Sequence, residues 1–147
     1  MIRLPAPIVV ENENAFTLRQ YDSLDLLILD HPSRTQDDPG YAFLIEWFRA
    51  QPEPWRWHCL FYHTPWPGLT PFRIVEEFSY AWYELVGDKD KGKRVATVDN
   101  NPITTSRYAT ESFQNIFPSR DFCLFEDLDE GIRWITRGYE LPAQDAA

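Results

Sequence analysis

Cysteine is scarce in this 147-residue chain: there are two, Cys59 and Cys123, each inside an apolar run. An unpaired Cys among apolar neighbours behaves as a small hydrophobe. Both are read as reduced, buried and structural. Histidine is nearly as rare, with three, and positive charge is in deficit, 14 Lys and Arg against 23 Asp and Glu, for a net charge of -9. That balance repels phosphate backbones and anionic lipid surfaces, which argues against nucleic acid as a partner. No apolar run approaches the roughly 18 residues of a membrane span, so membrane insertion is not expected. The start, "MIRLPAPIVVENEN", has one Arg and a short apolar stretch broken by prolines, with neither the apolar core nor the cleavage site of a secretion signal. A soluble, cytoplasmic protein is expected.

What the chain has in abundance is aromatic surface, 16% of residues, including six Trp, seven Tyr and ten Phe. A chain of this length buries about two-thirds of its unfolded surface, enough for one core without metal or disulfide support. "AFTLRQYD" (15–22) alternates as a strand with one wet face does, and "LDLLILD" (24–30) is nearly continuous in apolar residues, as in a strand covered on both sides. The turn at Asp22 and Ser23 makes the pair a hairpin. In "DDPG", Asp38 is placed to cap a helix with Pro39 in its first turn, and Tyr41, Leu44, Ile45 and Phe48 follow at helical spacing. "QPEP" stops that helix, and "WRWHCLFYH" (55–63) returns to a strand.

The longest periodic run, "TPFRIVEEFSYAWYELVG", places Val75, Phe78, Trp82 and Leu85 on one stripe between a Thr70 cap and a Gly87 stop. "KRVATVD" (93–99) and "DFCLFE" (121–126) read as strands, and "ITTSRYATESFQNIF" (103–117) as a helix. A last helix opens at Asp127 and Glu130, which can form a capping box, buries Ile132 and Ile135, and ends at Gly138. The expected fold is a single α/β domain: a mixed five-stranded sheet, opening in a hairpin and continuing in αβ units, packed by about four helices. Its expected limits are an N-terminal extension over 1–13, the domain over 14–138, and a flexible tail over 139–147.

This succession, with "WRWHCLFYH", "GKRVATVDNN" and above all the ending "FPSRDFCLFEDLDEGIRWI", resembles the SpoIIAA-like proteins of the STAS fold, relatives of anti-sigma-factor antagonists, over roughly residues 14 to 137. The resemblance implies a non-enzymatic binding or regulatory module, and for some relatives a lipid-like ligand. Regulatory STAS members carry an Asp-Ser phosphorylation motif at the start of the helix after the third strand. Here that junction reads "HTPWPGLTP", where Thr64 and Thr70 are the only hydroxyls and neither follows an Asp. They are the candidate phosphorylation positions, and the departure counts against a kinase-controlled switch.

The residues that most invite a chemical role are His58, Cys59 and His63, all within six positions. Strand alternation sends His58 and Cys59 to opposite faces, so they cannot jointly grip a metal, and zinc needs about four ligands. His31 and His63, at strand ends, could converge with Asp30 or Asp99, but ordinary strand-end residues account for them, and no metal or other cofactor is expected. A cysteine nucleophile needs an exposed, activated thiolate, whereas Cys59 and Cys123 sit among apolar neighbours. No G-x-S-x-G elbow occurs. "GDKDKGKR" (87–94) mimics a phosphate loop but has Arg94 where Ser or Thr should bind Mg²⁺, and it runs from helix to strand rather than strand to helix. It reads as a solvated turn, and Glu76 and Glu77 as an outer helix face.

Ligands of open α/β sheets settle where loops leave the carboxyl ends of parallel strands. On this rim the chain offers His31, His63, Thr64, Trp66, Asn100, Asn101 and Thr104, suited to hydrogen bonding and stacking but lacking an acid, base and nucleophile in one line. A non-enzymatic module is therefore expected. It would bind a protein partner or a second copy of itself as a homodimer, with Trp47, Trp55 and Trp66 contributing aromatic surface. The alternative is a carrier or sensor of a small apolar or lipid-like molecule held between helices and sheet.

Overall fold

The computed structural model describes residues 1–11, 17–31, 39–63, 72–98 and 119–144. They form one six-stranded sheet in sequence order: β1 (Ile8–Val10), β2 (Thr17–Tyr21), β3 (Leu26–His31), β4 (His58–His63), β5 (Arg94–Val98) and β6 (Asp121–Phe125). The first three are antiparallel neighbours, and β3 to β6 run parallel. The α/β class and the opening hairpin are as expected, but there are six strands rather than five. The added one is β1, three residues long on the sheet edge, too short to show any period of its own. Helices α1 (Pro39–Arg49), α2 (Phe72–Val86) and α3 (Leu128–Ile135) are the three among the described residues. The helix expected over 103–117 lies outside them.

The hairpin turns through one turn of 3-10 helix, Asp22–Leu24, closed by Asp25 in the left-handed region at φ 48°. Asp tolerates that conformation better than most residues because its short side chain bonds locally. Gly87 (φ 59°) ends α2 and Gly138 (φ 92°) follows α3, both in the conformation that favours glycine at a helix stop. Asp127 caps α3 by accepting the Glu130 N–H at 3.2 Å, the first half of the expected box.

Sheet parity divides the interior into two layers. Leu18, Leu27, Leu29, Cys59, Phe61 and Val95 face one side, where α1 supplies Tyr41, Leu44 and Phe48, and α2 supplies Phe78, Trp82 and Val86. Consecutive parallel strands joined by right-handed crossovers that step in one direction put their helices on the same face, which is why α1 and α2 are neighbours. Phe48 meets Trp82 edge to face with centroids 4.6 Å apart, and each such fully buried side chain stabilises the fold by about 1.5–3 kcal/mol. Leu24, Leu26, Ile28, Leu60, Ala96 and Val98 face the other side, covered by Ile132 and Ile135 of α3. Ile2, Leu4, Tyr139 and Leu141 pack there too, so both ends of the described chain complete the second layer.

Candidate functional site

Among the described residues the second layer leaves a half-open gap. Between the sheet, the start of α3 and the first seven residues lies a cavity of about 710 Å³. Its floor follows from strand parity: with Leu18, Leu27, Leu29 and Phe61 turned to the first layer, Arg19, Tyr21, Ile28, Asp30 and Tyr62 must face the second. Leu128 and Ile132 of α3 form one wall. The roof is the segment 1–7, in which Pro5 and Pro7 have no N–H, so it crosses apolar surface with fewer donors to satisfy.

That roof is fastened at named points. The Ile2 N–H donates to Asp129 Oδ1 at 3.0 Å, and the terminal ammonium stands 3.5 Å from Asp129 Oδ2. These contacts, the Ile2 N–H bond first, hold the Asp129 carboxyl below its usual range. Gln144 grips Arg3 as a second backbone would, accepting its N–H at 2.7 Å and donating to its carbonyl at 2.9 Å. Beyond Pro7 the chain enters β1 and pairs with β2.

Two polar networks, one part-buried and one buried, stand apart from the cavity lining. At the amino end of β4, His58 accepts the Arg94 N–H at Nδ1 (2.9 Å), and its Nε2 lies 3.1 Å from the Tyr139 hydroxyl, which donates to Asp25 Oδ2 at 3.3 Å. Arg56 Nε donates to the other oxygen of Asp25 at 2.5 Å. Burial, then the charges of Lys93, Arg94 and Arg120, push the His58 pKa down to about 4. On the first layer, Arg120 pairs with Asp90 at 2.7 Å, both side chains almost wholly buried, and Trp82 Nε1 donates to the same carboxylate oxygen at 3.0 Å. Arg120 also donates to the Trp57 carbonyl and lies 3.8 Å from Cys59 Sγ. Asp90 corrects one expectation: the turn over 87–94 is not simply solvated, because it plants this carboxylate in the core.

Cys59 is fully buried, and burial pushes its thiol up to about 11 despite Arg120 nearby. Cys123 is only half-buried, on the face turned to the second layer, so its expected full burial is not met. Of the rim residues, His31 and His63 stand side by side in register at the carboxyl ends of β3 and β4. Thr64, Trp66, Thr70, Asn100, Asn101 and Thr104 lie outside the described residues, as does Asp99. Trp47 and Trp55 are half-buried against the first layer; Trp47 meets Trp57 at 5.8 Å and Lys89 lies over Trp55. Among the described residues the large exposed aromatics are Tyr80 and Tyr83, on the outer face of α2 with Glu76 and Glu77.

The described cavity lining offers one carboxylate, two guanidinium groups and two phenolic hydroxyls amid apolar side chains, without Cys, Ser or His. Such a set binds and orients; it holds no activated nucleophile. Arg19, Tyr21 and Tyr62 were not singled out from the sequence, since a polar residue on an alternating strand reads as solvent-facing. The signal that could have found them is "RLPAP", an apolar, proline-punctuated segment that needs a surface to lie on. No helix among the described residues is long and apolar enough to cross a membrane. Compared with known protein families, curated proteins and solved structures, the chain matches none.

Proposed function

We propose that the protein is a non-enzymatic, cytoplasmic binding module that carries or senses a small, elongated, largely apolar molecule in the cavity of its second layer. The observation that carries this is the cavity itself: about 710 Å³, within the roughly 300–1,000 Å³ of small-molecule sites. Tyr21 pairs with Leu26 and Asp30 lies four residues further along β3, so the floor extends about 13 Å along the strand. Apolar surface left open in such a cleft forgoes contacts that a ligand of matching shape would restore. The likeness to SpoIIAA-like proteins supports the same class of function, binding without chemistry. Titrating the purified protein with 1-decanol in a calorimeter should give saturable one-to-one binding; a titration with no saturable phase contradicts the proposal.

A second reading, a protein partner or a second copy of this chain, is favoured by Tyr80 and Tyr83, which are 67% and 64% exposed. Tyrosine is enriched at protein interfaces relative to the rest of the surface. Sedimentation velocity over a hundredfold dilution, compared with a Tyr80→Ser, Tyr83→Ser double variant, tests for self-association. A single concentration-independent monomer peak in both contradicts the homodimer.

A further inference from the structure

Reading the cavity as a ligand site leaves its polar groups to be explained. Three arginines elsewhere have their acceptors: Arg56 has Asp25, Arg94 has the Ile135 and Arg137 carbonyls, and Arg120 has Asp90. Arg19 is half-buried on the cavity floor and has no hydrogen-bond or ion-pair partner among the described residues. In a chain with 23 acidic side chains, a half-buried guanidinium without an ion pair to any described carboxylate is conspicuous, because partial burial costs free energy that an anion would offset. Tyr21 stands two residues on, on the same face of β2. It is 6% exposed, and its hydroxyl has no hydrogen-bond partner among the described residues, unlike that of Tyr139. Burial raises the Tyr21 pKa, which keeps it a neutral donor.

We infer that the ligand is an amphiphile with a single anionic head, a carboxylate, and that Arg19 and Tyr21 receive that head. The inference rests on the proposed ligand site and adds its chemical class. A guanidinium presents a planar fork of donors that matches two carboxylate oxygens, and the phenol adds a third hydrogen bond to the same group. Asp30 limits the charge to one. It faces the same cavity from β3, diagonal to Arg19 across the strand pair, and it would repel a second anionic group. Arg3 and Asp30 each have an interaction of their own and the terminal ammonium has Asp129, so among the described lining residues Arg19 is the cation left to meet the ligand. The tail of the amphiphile then lies along Ile28, Leu128 and Ile132.

The test is calorimetric titration of the whole protein with decanoate, 1-decanol and decylamine, which share a tail and differ in head. Decanoate should bind at least about tenfold more tightly than the alcohol, the worth of a charge-assisted hydrogen bond, and decylamine most weakly. Arg19→Gln should weaken decanoate by at least about tenfold and abolish its preference over the alcohol, while Tyr21→Phe should weaken decanoate by about threefold to tenfold. Circular dichroism and thermal melting check that each variant folds, and either one alone carries the test. Equal binding of decanoate and 1-decanol, or tighter binding of the amine, overturns the anionic head and leaves the cavity a ligand site. Binding of none of the three overturns the ligand site and this inference together.

Discussion

The backbone N–H of Arg94 donates to Nδ1 of His58 at 2.9 Å, and that one bond decides the state of the imidazole. With Nδ1 occupied as an acceptor, the ring proton sits on Nε2 and points at the Tyr139 hydroxyl, 3.1 Å away. A second proton would have to go on Nδ1, against a donor that cannot turn away. The network thus joins three parts of the chain, the Asp25 turn, the first residue of β4 and the residue after Gly138, on the condition that His58 stays neutral.

Stability should therefore fall in mild acid. The folded pKa of His58 is about 4 against an ordinary 6.5, so the unfolded chain takes up the proton first. The contribution is whole above about pH 6.5, is lost as pH falls towards 4, and amounts to about 3 kcal/mol at most. Urea unfolding at pH 7.5, 6, 5 and 4 should show this decline, and His58→Gln should be less stable at pH 7.5 but flatter over the range. An equally steep decline in the variant would place the acid sensitivity elsewhere.

The Arg120–Asp90 pair should behave as a buried ion pair does when half of it is removed. Asp90→Asn strands a guanidinium in the first layer and should cost about 3–5 kcal/mol, whereas Arg120→Leu combined with Asp90→Leu should cost less than the single change. Chemical denaturation of the three proteins measures this. A single variant within 1 kcal/mol or so of the parent would mean that water reaches the pair.

Gly131 should resist replacement even by the best helix former. A Cβ there would stand 2.8 Å from Cγ2 of Val98 and 3.5 Å from Leu60 and Phe125, so α3 approaches the sheet more closely than alanine allows. Val98 is stiff at χ1 and cannot simply swing aside. Gly131→Ala should lose about 1–3 kcal/mol to overpacking, against about 1 kcal/mol gained in helix propensity, and Val98→Ala should restore part of the loss. Thermal melting of the single and double variants reads the sign.

The two thiols should react differently. Cys59 is fully buried with its pKa up at about 11, so the folded protein should leave it unmodified by iodoacetamide at pH 8, with peptide mapping finding the adduct only after denaturation. Cys123, half-buried, should carry whatever native labelling occurs. Rapid native alkylation of Cys59 would mean that the first layer opens readily.

The elements legible from the sequence are those that pack a long periodic face. Tyr41, Leu44, Ile45 and Phe48, then Phe78 and Trp82, are buried where helical spacing placed them, and Ile132 and Ile135 likewise. Short or indirect features were not legible. β1 has three residues beside Pro7, and its pairing with β2 is a long-range fact without a local pattern. Asp90 reads as a turn residue until Arg120, thirty positions away, is seen to meet it. The cavity was not legible for a related reason: the rim argument follows the carboxyl ends of strands, while the cavity is defined by where the first seven residues come to rest. Only Asp30, weighed as a partner for the histidines, belongs to both.

The ligand site rests most directly on location, which methyl-resolved NMR reads residue by residue. On titration with 1-decanol the methyl signals of Ile28, Leu128 and Ile132, on the cavity floor and wall, should shift progressively to saturation, while those of Leu44 and Val86 in the other layer stay in place. Shifts confined to the first layer or to the outer face of α2, or no saturating shift at Ile28 and Ile132, would contradict it.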